Sequence, residues 1–215
     1  MSLIINPSGG SGPNPPPLLV TQGATGAWIA PPFYSPSGGT VINSATITTL
    51  MPFFLPFACH IDQLGLKQST AGGAGSVCQF GLYASKATNG YPTGTALANS
   101  SASPTATTGT TTVSGALSSS VAIQANTIYW YAQQQDSNSA LAVYAGASLG
   151  ASYFLYMIGD ATLANLSTTA ANNNISMYLT TSQAYGTWGD LTSASFTIQR
   201  GAGNAIFPFL HVMVP

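Results

Sequence analysis

The chain is 215 residues long and 45% apolar, with ten Tyr, nine Phe and three Trp, enough to bury a sizeable core and too much for a disordered chain. It carries three cations (Lys67, Lys86, Arg200), four anions (Asp62, Asp136, Asp160, Asp190) and no Glu, so that 3% of its residues are charged against about 25% in an ordinary soluble domain. That balance excludes the clustered Lys and Arg of a nucleic-acid surface and any pull toward anionic lipid; it also removes the repulsion that keeps copies apart, so a permanent assembly is expected.

In chain order, the first 39 residues differ from the rest. Met1-Ser-Leu-Ile-Ile-Asn-Pro7 lacks a basic n-region and a long apolar run, so no secretory signal is read there and folding in a cytoplasm is expected. Ser8-Gly-Gly-Ser-Gly-Pro-Asn-Pro-Pro-Pro17 cannot form helix or central strand, because its prolines lack N–H groups and its glycines are loose. A second such stretch covers residues 31–39. Between and within them lie apolar side chains (Leu18, Leu19, Val20, Trp28, Ile29, Phe33) that a Pro-rich segment cannot bury by folding on itself. Residues 1–39 are therefore expected to be an extended arm that docks on a neighbouring subunit or on a capsid.

From residue 40 the pattern is that of strands. Thr40-Val-Ile-Asn-Ser-Ala-Thr-Ile-Thr-Thr49 is β-branched, and Ile61, Leu64 and Leu66 recur in a short run. Cys78, Phe80, Leu82 and Ala84 alternate with Gln79, Gly81 and Tyr83; Ile128, Trp130 and Ala132 oppose Tyr129, Tyr131 and Gln133. Residues 100–120 are nearly all Ser, Thr, Ala and Gly, as in an exposed loop or a weakly specified edge strand. With almost no Lys to guard neutral edges, a neighbouring subunit is expected to cover them. Further strands are expected at 140–145, 153–158, 175–180, 195–200 and 205–214, and the best helix candidate is a short one near 160–171. The uncharged stretch 141–159 is better explained by two short strands around Gly146–Gly150 than by a membrane span, because no Lys or Arg flanks it. These elements imply an all-β protein: one antiparallel β sandwich of jelly-roll type over residues 40–215, preceded by the Pro/Gly-rich N-terminal arm.

Phe80-Gly-Leu-Tyr-Ala84, Asn89-Gly-Tyr-Pro-Thr-Gly94 and Thr127-Ile-Tyr-Trp-Tyr131 together resemble a pattern in bacteriophage virion proteins. In these a strand ending in Gly-hydrophobic-Tyr leads to a Gly-Tyr-Pro turn, and a later strand carries Tyr-Trp. The likeness covers roughly residues 45–145. It implies a jelly-roll domain of the kind found in tail fibres, head fibres and capsid decoration proteins, with no catalytic residues to carry over. It further implies a virion protein assembled in the host cytoplasm, partnered by other virion proteins and by its own copies, three of them by analogy with fibres and decoration knobs. Contact with a host surface glycan is the alternative.

Other constellations are weaker. Gly146-Ala-Ser-Leu-Gly150 matches a nucleophile elbow, and Asp160 or Asp190 and then His211 follow in serine-hydrolase order. Ser148 would need a strand-to-helix turn, yet no helical face follows it, so no catalytic residue is assigned. Cys59, His60 and Asp62 are poorly placed for one metal ion, since neighbours on a strand point to opposite faces. No metal or cofactor site is assigned; Cys59 and Cys78 could form one disulfide but are too few for a framework, and two buried thiols are the simpler reading. The best ligand-surface candidate is the polar, Gly-rich, aromatic segment around Tyr185, Trp188 and Asp190.

Overall fold

The computed structural model describes residues 26–30, 36–42, 45–70, 72–105, 107, 111–136, 142–146, 176–201 and 208–213. Among them there is no helix, and thirteen strands form two antiparallel sheets packed face to face as a β sandwich. The front sheet runs β1 (Ala27–Ile29), β13 (Pro208–Met213), β4 (Cys59–Thr70), β10 (Ala142–Gly146), β2 (Pro36–Ile42), with β8 (Thr111–Ile123) on the other side of β4. The back sheet runs β12 (Thr197–Gly201), β11 (Ser176–Ser182), β3 (Ile47–Phe53), β9 (Tyr129–Gln135), β5 (Val77–Ser85), β6 (Pro92–Asn99), with the short β7 (Ser103–Pro104) also on β5. The nested pairing is that of a rolled ribbon: β3 pairs β9 in one sheet, and their continuations β4 and β8 pair in the other.

The sheets share one core because the strands alternate. From the back sheet Phe53, Phe80, Leu82 and Tyr131 point inward; from the front sheet Ile61, Leu64, Leu66 and Leu210 meet them. The period-two reading of β5 and β9 holds, with Cys78, Phe80, Leu82, Tyr129 and Tyr131 in this core and Tyr83, Trp130 and Ala132 in a second cluster on the other face. Ile61 and Leu64 are three apart yet both face in. The strand carries a β-bulge between Ile61 and Gln63, where Asp62 is the extra residue and shifts the alternation by one.

Two expectations change. The β-branched run 40–49 is not one strand: β2 ends at Ile42 in the front sheet, Ala45 and Thr46 form a turn, and β3 starts at Ile47 in the back sheet. β2 also reaches back to Pro36, which the Pro/Gly content had assigned to the arm; at the sheet's edge a missing N–H costs no ladder bond. The polar stretch 100–120 does form a strand, β8, whose outward side chains Thr112, Ser114, Ala116, Ser118 and Ser120 are exposed. The expected strand at 153–158, the helix at 160–171 and the arm residues Leu18, Leu19, Val20 and Phe33 lie outside the described residues. No helix among the described residues is long and apolar enough to cross a membrane.

The segments that carry the virion-protein resemblance touch one another. Trp130 Nε1 donates to the Gly90 carbonyl at 2.9 Å, and Gly90 takes a φ of +74°, open to glycine without strain. Tyr91 folds back and stacks on Phe196 at 5.5 Å rather than standing at the loop tip. Asn126, ahead of β9, adopts a left-handed φ of 56° and donates its N–H to the Leu55 carbonyl at 2.7 Å.

Candidate functional site

Two outer faces compete as the site. On the back sheet, residues 183–196 lie across the strands as a roof. Gln134 of β9 fastens it: its Nε2 donates to the Thr187 carbonyl and to Thr48 Oγ1, both at 2.8 Å, and its Oε1 accepts from the Gly186 N–H at 2.9 Å. The roof is tied at its ends as well, Tyr185 N–H to the Ala45 carbonyl at 2.8 Å and Leu191 N–H to the Gly94 carbonyl at 2.9 Å. Beneath it Leu50, Tyr83, Trp130, Ala132, Leu179 and Leu191 form the second hydrophobic cluster.

This roof holds the three residues singled out from the sequence. Trp188 lies flat on Gly81, where an added Cβ would sit 2.6 Å from its ring, and meets Tyr83 with ring centres 6.3 Å apart. Tyr185 has its hydroxyl shielded from solvent with no hydrogen-bond partner, and burial, then Cys78 and Asp136, push it up to about 12. Asp190 is exposed, but its Oδ1 accepts from the Thr192 N–H at 2.7 Å, and the two Thr192 hydrogen bonds hold its carboxyl below the usual value. The structure thus brings the three together in one segment but turns both rings inward and uses the carboxylate to close a turn.

The front sheet is different. β1 lays Trp28 against His211 (Cα register partners, ring centres 5.2 Å apart), while Ile29 packs on the core. Sequence reasoning placed Trp28 and Ile29 on an arm reaching for a neighbour; here they form an edge strand of the chain's own front sheet. His211 faces outward, and its Nδ1 donates to Asp62 Oδ1 at 2.5 Å. The bulge that inserts Asp62 into β4 is what aims the carboxylate at the imidazole. Gly26, at a φ of +82°, closes over the same ring: a Cβ there would lie 2.7 Å from the imidazole.

Beside this pinned indole is a cleft of about 310 Å³, lined by Trp28, Phe209, Gly65, Val113, Ser114 and Thr112. It crosses four adjacent strands, β1, β13, β4 and β8. Its floor is bare backbone, because the outward position between Leu64 and Leu66 is Gly65, paired with Phe209 on one side and Ser114 on the other. Trp28 is 45% exposed, and only it and Leu97 are large apolar side chains left exposed among the described residues. The signal for this cleft was present in the sequence as a glycine at an outward strand position, the mark of a close approach or a gap.

Elsewhere the described residues bring together no reactive centre. Cys59 and Cys78 are free thiols in the core, raised by burial to about 11 and about 12, the second with help from Asp136. Thiols held so high carry negligible thiolate near neutrality and are inert. Cys59 is buried and His60 exposed, on opposite faces, and no group of three metal-ligating side chains occurs among the described residues. Ser148 lies outside the described residues. No family model, no curated protein and no solved structure matches the chain.

Proposed function

We propose that this chain is a non-enzymatic structural protein of a bacteriophage particle, displayed on the virion surface as a capsid decoration protein or a short fibre. The observation that supports it is the near-absence of charge on a folded sandwich: seven charged side chains in 215 residues, and none on the outward face of the thirteen-residue β8. Neutral strand edges of that length self-associate unless they are guarded, and this chain has no Lys on β8 to guard it. A protein that forms a fixed shell turns the same property to use. The partners are then further copies of itself, three by analogy, and other virion proteins. The segment carrying Leu18, Leu19 and Val20 is the docking arm that joins them.

The test is copy number in purified particles by quantitative mass spectrometry, with immunogold labelling for position. Hundreds of copies on the head make it a decoration protein; a few dozen or fewer at the tail or on spikes make it a fibre. Absence from particles overturns the reading.

A second reading, a fibre component that contacts a host surface glycan, is favoured by one observation, the exposed Trp28 beside an open cleft.

A further inference from the structure

We propose that the Trp28 cleft is a binding site for a neutral saccharide. The chemistry of its walls selects the ligand. Trp28 and Phe209 form an apolar flank, Ser114 and Thr112 a hydroxyl flank, and Gly65, which has no side chain, lies between them. A pyranose has the matching anatomy. The C–H groups of its ring face carry slight positive charge and pack on the electron-rich face of an indole. Its equatorial hydroxyls point sideways to hydroxyl and carbonyl partners. No charged side chain is among the described residues lining the cleft, which suits a neutral ligand. Along β4, Gln63 and Lys67 lie two residues either side of Gly65, placed at the cleft's two ends on the same face. The volume, about 310 Å³, is at the lower end of small-molecule sites.

The second argument is preorganisation. An exposed Trp on an edge strand ordinarily samples several rotamers, and ordering it on binding costs affinity. Here the ring is braced before any ligand arrives. The His211 imidazole lies against it, Asp62 fixes the imidazole through Nδ1, and Gly26 lets the backbone close over the far edge of that imidazole. A two-residue polar relay beneath a single solvent-facing aromatic has no role in the core, since His211 and Asp62 both point away from it. Thr112 and Ser114 supply hydroxyls on one flank, and a purely apolar insert would bury them without partners.

The site deepens the surface-display reading and takes its biological sense from it. The binding measurement nevertheless stands apart from copy number, because a chain absent from particles can still bind and a particle protein can fail to. The full-length protein is titrated with maltohexaose, cellohexaose and an oligomer of N-acetylglucosamine, followed by saturation-transfer NMR and Trp fluorescence. Binding of at least one in the millimolar range or tighter is expected. Trp28→Ala weakens it at least about tenfold, Trp28→Tyr keeps it within a few-fold, and Leu97→Ala leaves it unchanged. Folding of each variant is checked by circular dichroism, and His211→Phe, which keeps a ring beneath Trp28 but breaks the relay, separates bracing from folding by weakening binding while the native spectrum is retained. Three results overturn the proposal: no binding by any oligomer, binding indifferent to Trp28→Ala, or light scattering in which Trp28→Ala alone dissociates an oligomer, which makes the cleft a subunit contact.

Discussion

Two glycines and two tryptophans separate the faces of this molecule. On the back sheet Gly81 is covered by the Trp188 ring, so close that a Cβ would fall 2.6 Å from it; on the front sheet Gly65 is approached by the backbone of β8, where a Cβ would fall 2.9 Å from the Val113 carbonyl, while the Trp28 ring stands off at 3.4 Å by the same measure. Both glycines stand at outward positions of central strands, and both leave a gap in the row of side chains. Gln134 and a fourteen-residue connection between β11 and β12 allow the chain to fill the first gap itself. Nothing among the described residues fills the second. A gap filled from within becomes core, and a gap left open is available to a ligand.

The largest effect is expected where the roof meets the sheet. Trp130 is 3% exposed and hydrogen-bonded to Gly90, so Trp130→Ala should cost about 3–5 kcal/mol in urea unfolding. Trp28→Ala, on the open face, should cost under about 1 kcal/mol. Equal losses would mean that the two faces are equally packed, and the comparison would fail.

Next, Gly81→Ala drives a methyl into the Trp188 ring and should destabilise by about 1–3 kcal/mol. In a Trp188→Ala background the same substitution should be nearly neutral, and that double-mutant cycle measures the roof directly. If the cost persists without Trp188, the close approach is not its cause.

Removing the brace is expected to cost less. Asp62→Ala breaks one charge-assisted hydrogen bond to a side chain that is itself mostly buried, for about 1–2 kcal/mol. The loss should be local. Amide exchange should speed up at Ala27–Ile29, where β1 is held by β13, while the β9 amides stay protected.

The smallest effect is a pH dependence. The Thr192 hydrogen bonds hold the Asp190 carboxyl below its ordinary value of 3.8, so the unfolded chain binds this proton more tightly than the folded one. The contribution is complete above 3.8 and is lost as the pH falls through the lower folded value. Being fully exposed, it is small. Asp190→Ala should flatten the stability profile slightly below pH 4 and change nothing at neutrality, as measured by thermal unfolding across acidic buffers.

Much of the architecture was legible because alternation is a local property. Phe80-Gly-Leu-Tyr83 and Tyr129-Trp-Tyr-Ala132 state their two faces in four residues each, and β11, β12 and β13 fall within a few residues of the runs that announced them. The break between β2 and β3 was not legible, because Val41-Ile42 and Ala45 to Thr49 are equally β-prone on both sides of it. The Asp62 bulge was hidden for a related reason: Ile61 and Leu64 fit neither parity until a partner strand fixes the register. Which way the aromatic segment faces was hidden for a different reason. Tyr185, Trp188 and Asp190 have the composition of a ligand loop, yet composition is the same whether a loop faces solvent or roofs a sheet. Trp28 sits in a stretch whose Pro and Gly content spoke for an arm, while its strand pairing comes from β13, 183 positions away at the Trp28–His211 register.

By itself the sequence determined an all-β chain, the alternation of β5 and β9 and a chain almost free of charge, because each depends on residue type and near neighbours. Only the tertiary structure decided which glycine a tryptophan covers, which of two tryptophans packs on a hydrophobic cluster, and that a histidine and an aspartate 149 positions apart would meet beneath the exposed one. Those outcomes depend on strand register and on the path of a connecting segment. Both are set by long-range pairing, where one residue of slip or one bulge turns a side chain from the core to the solvent.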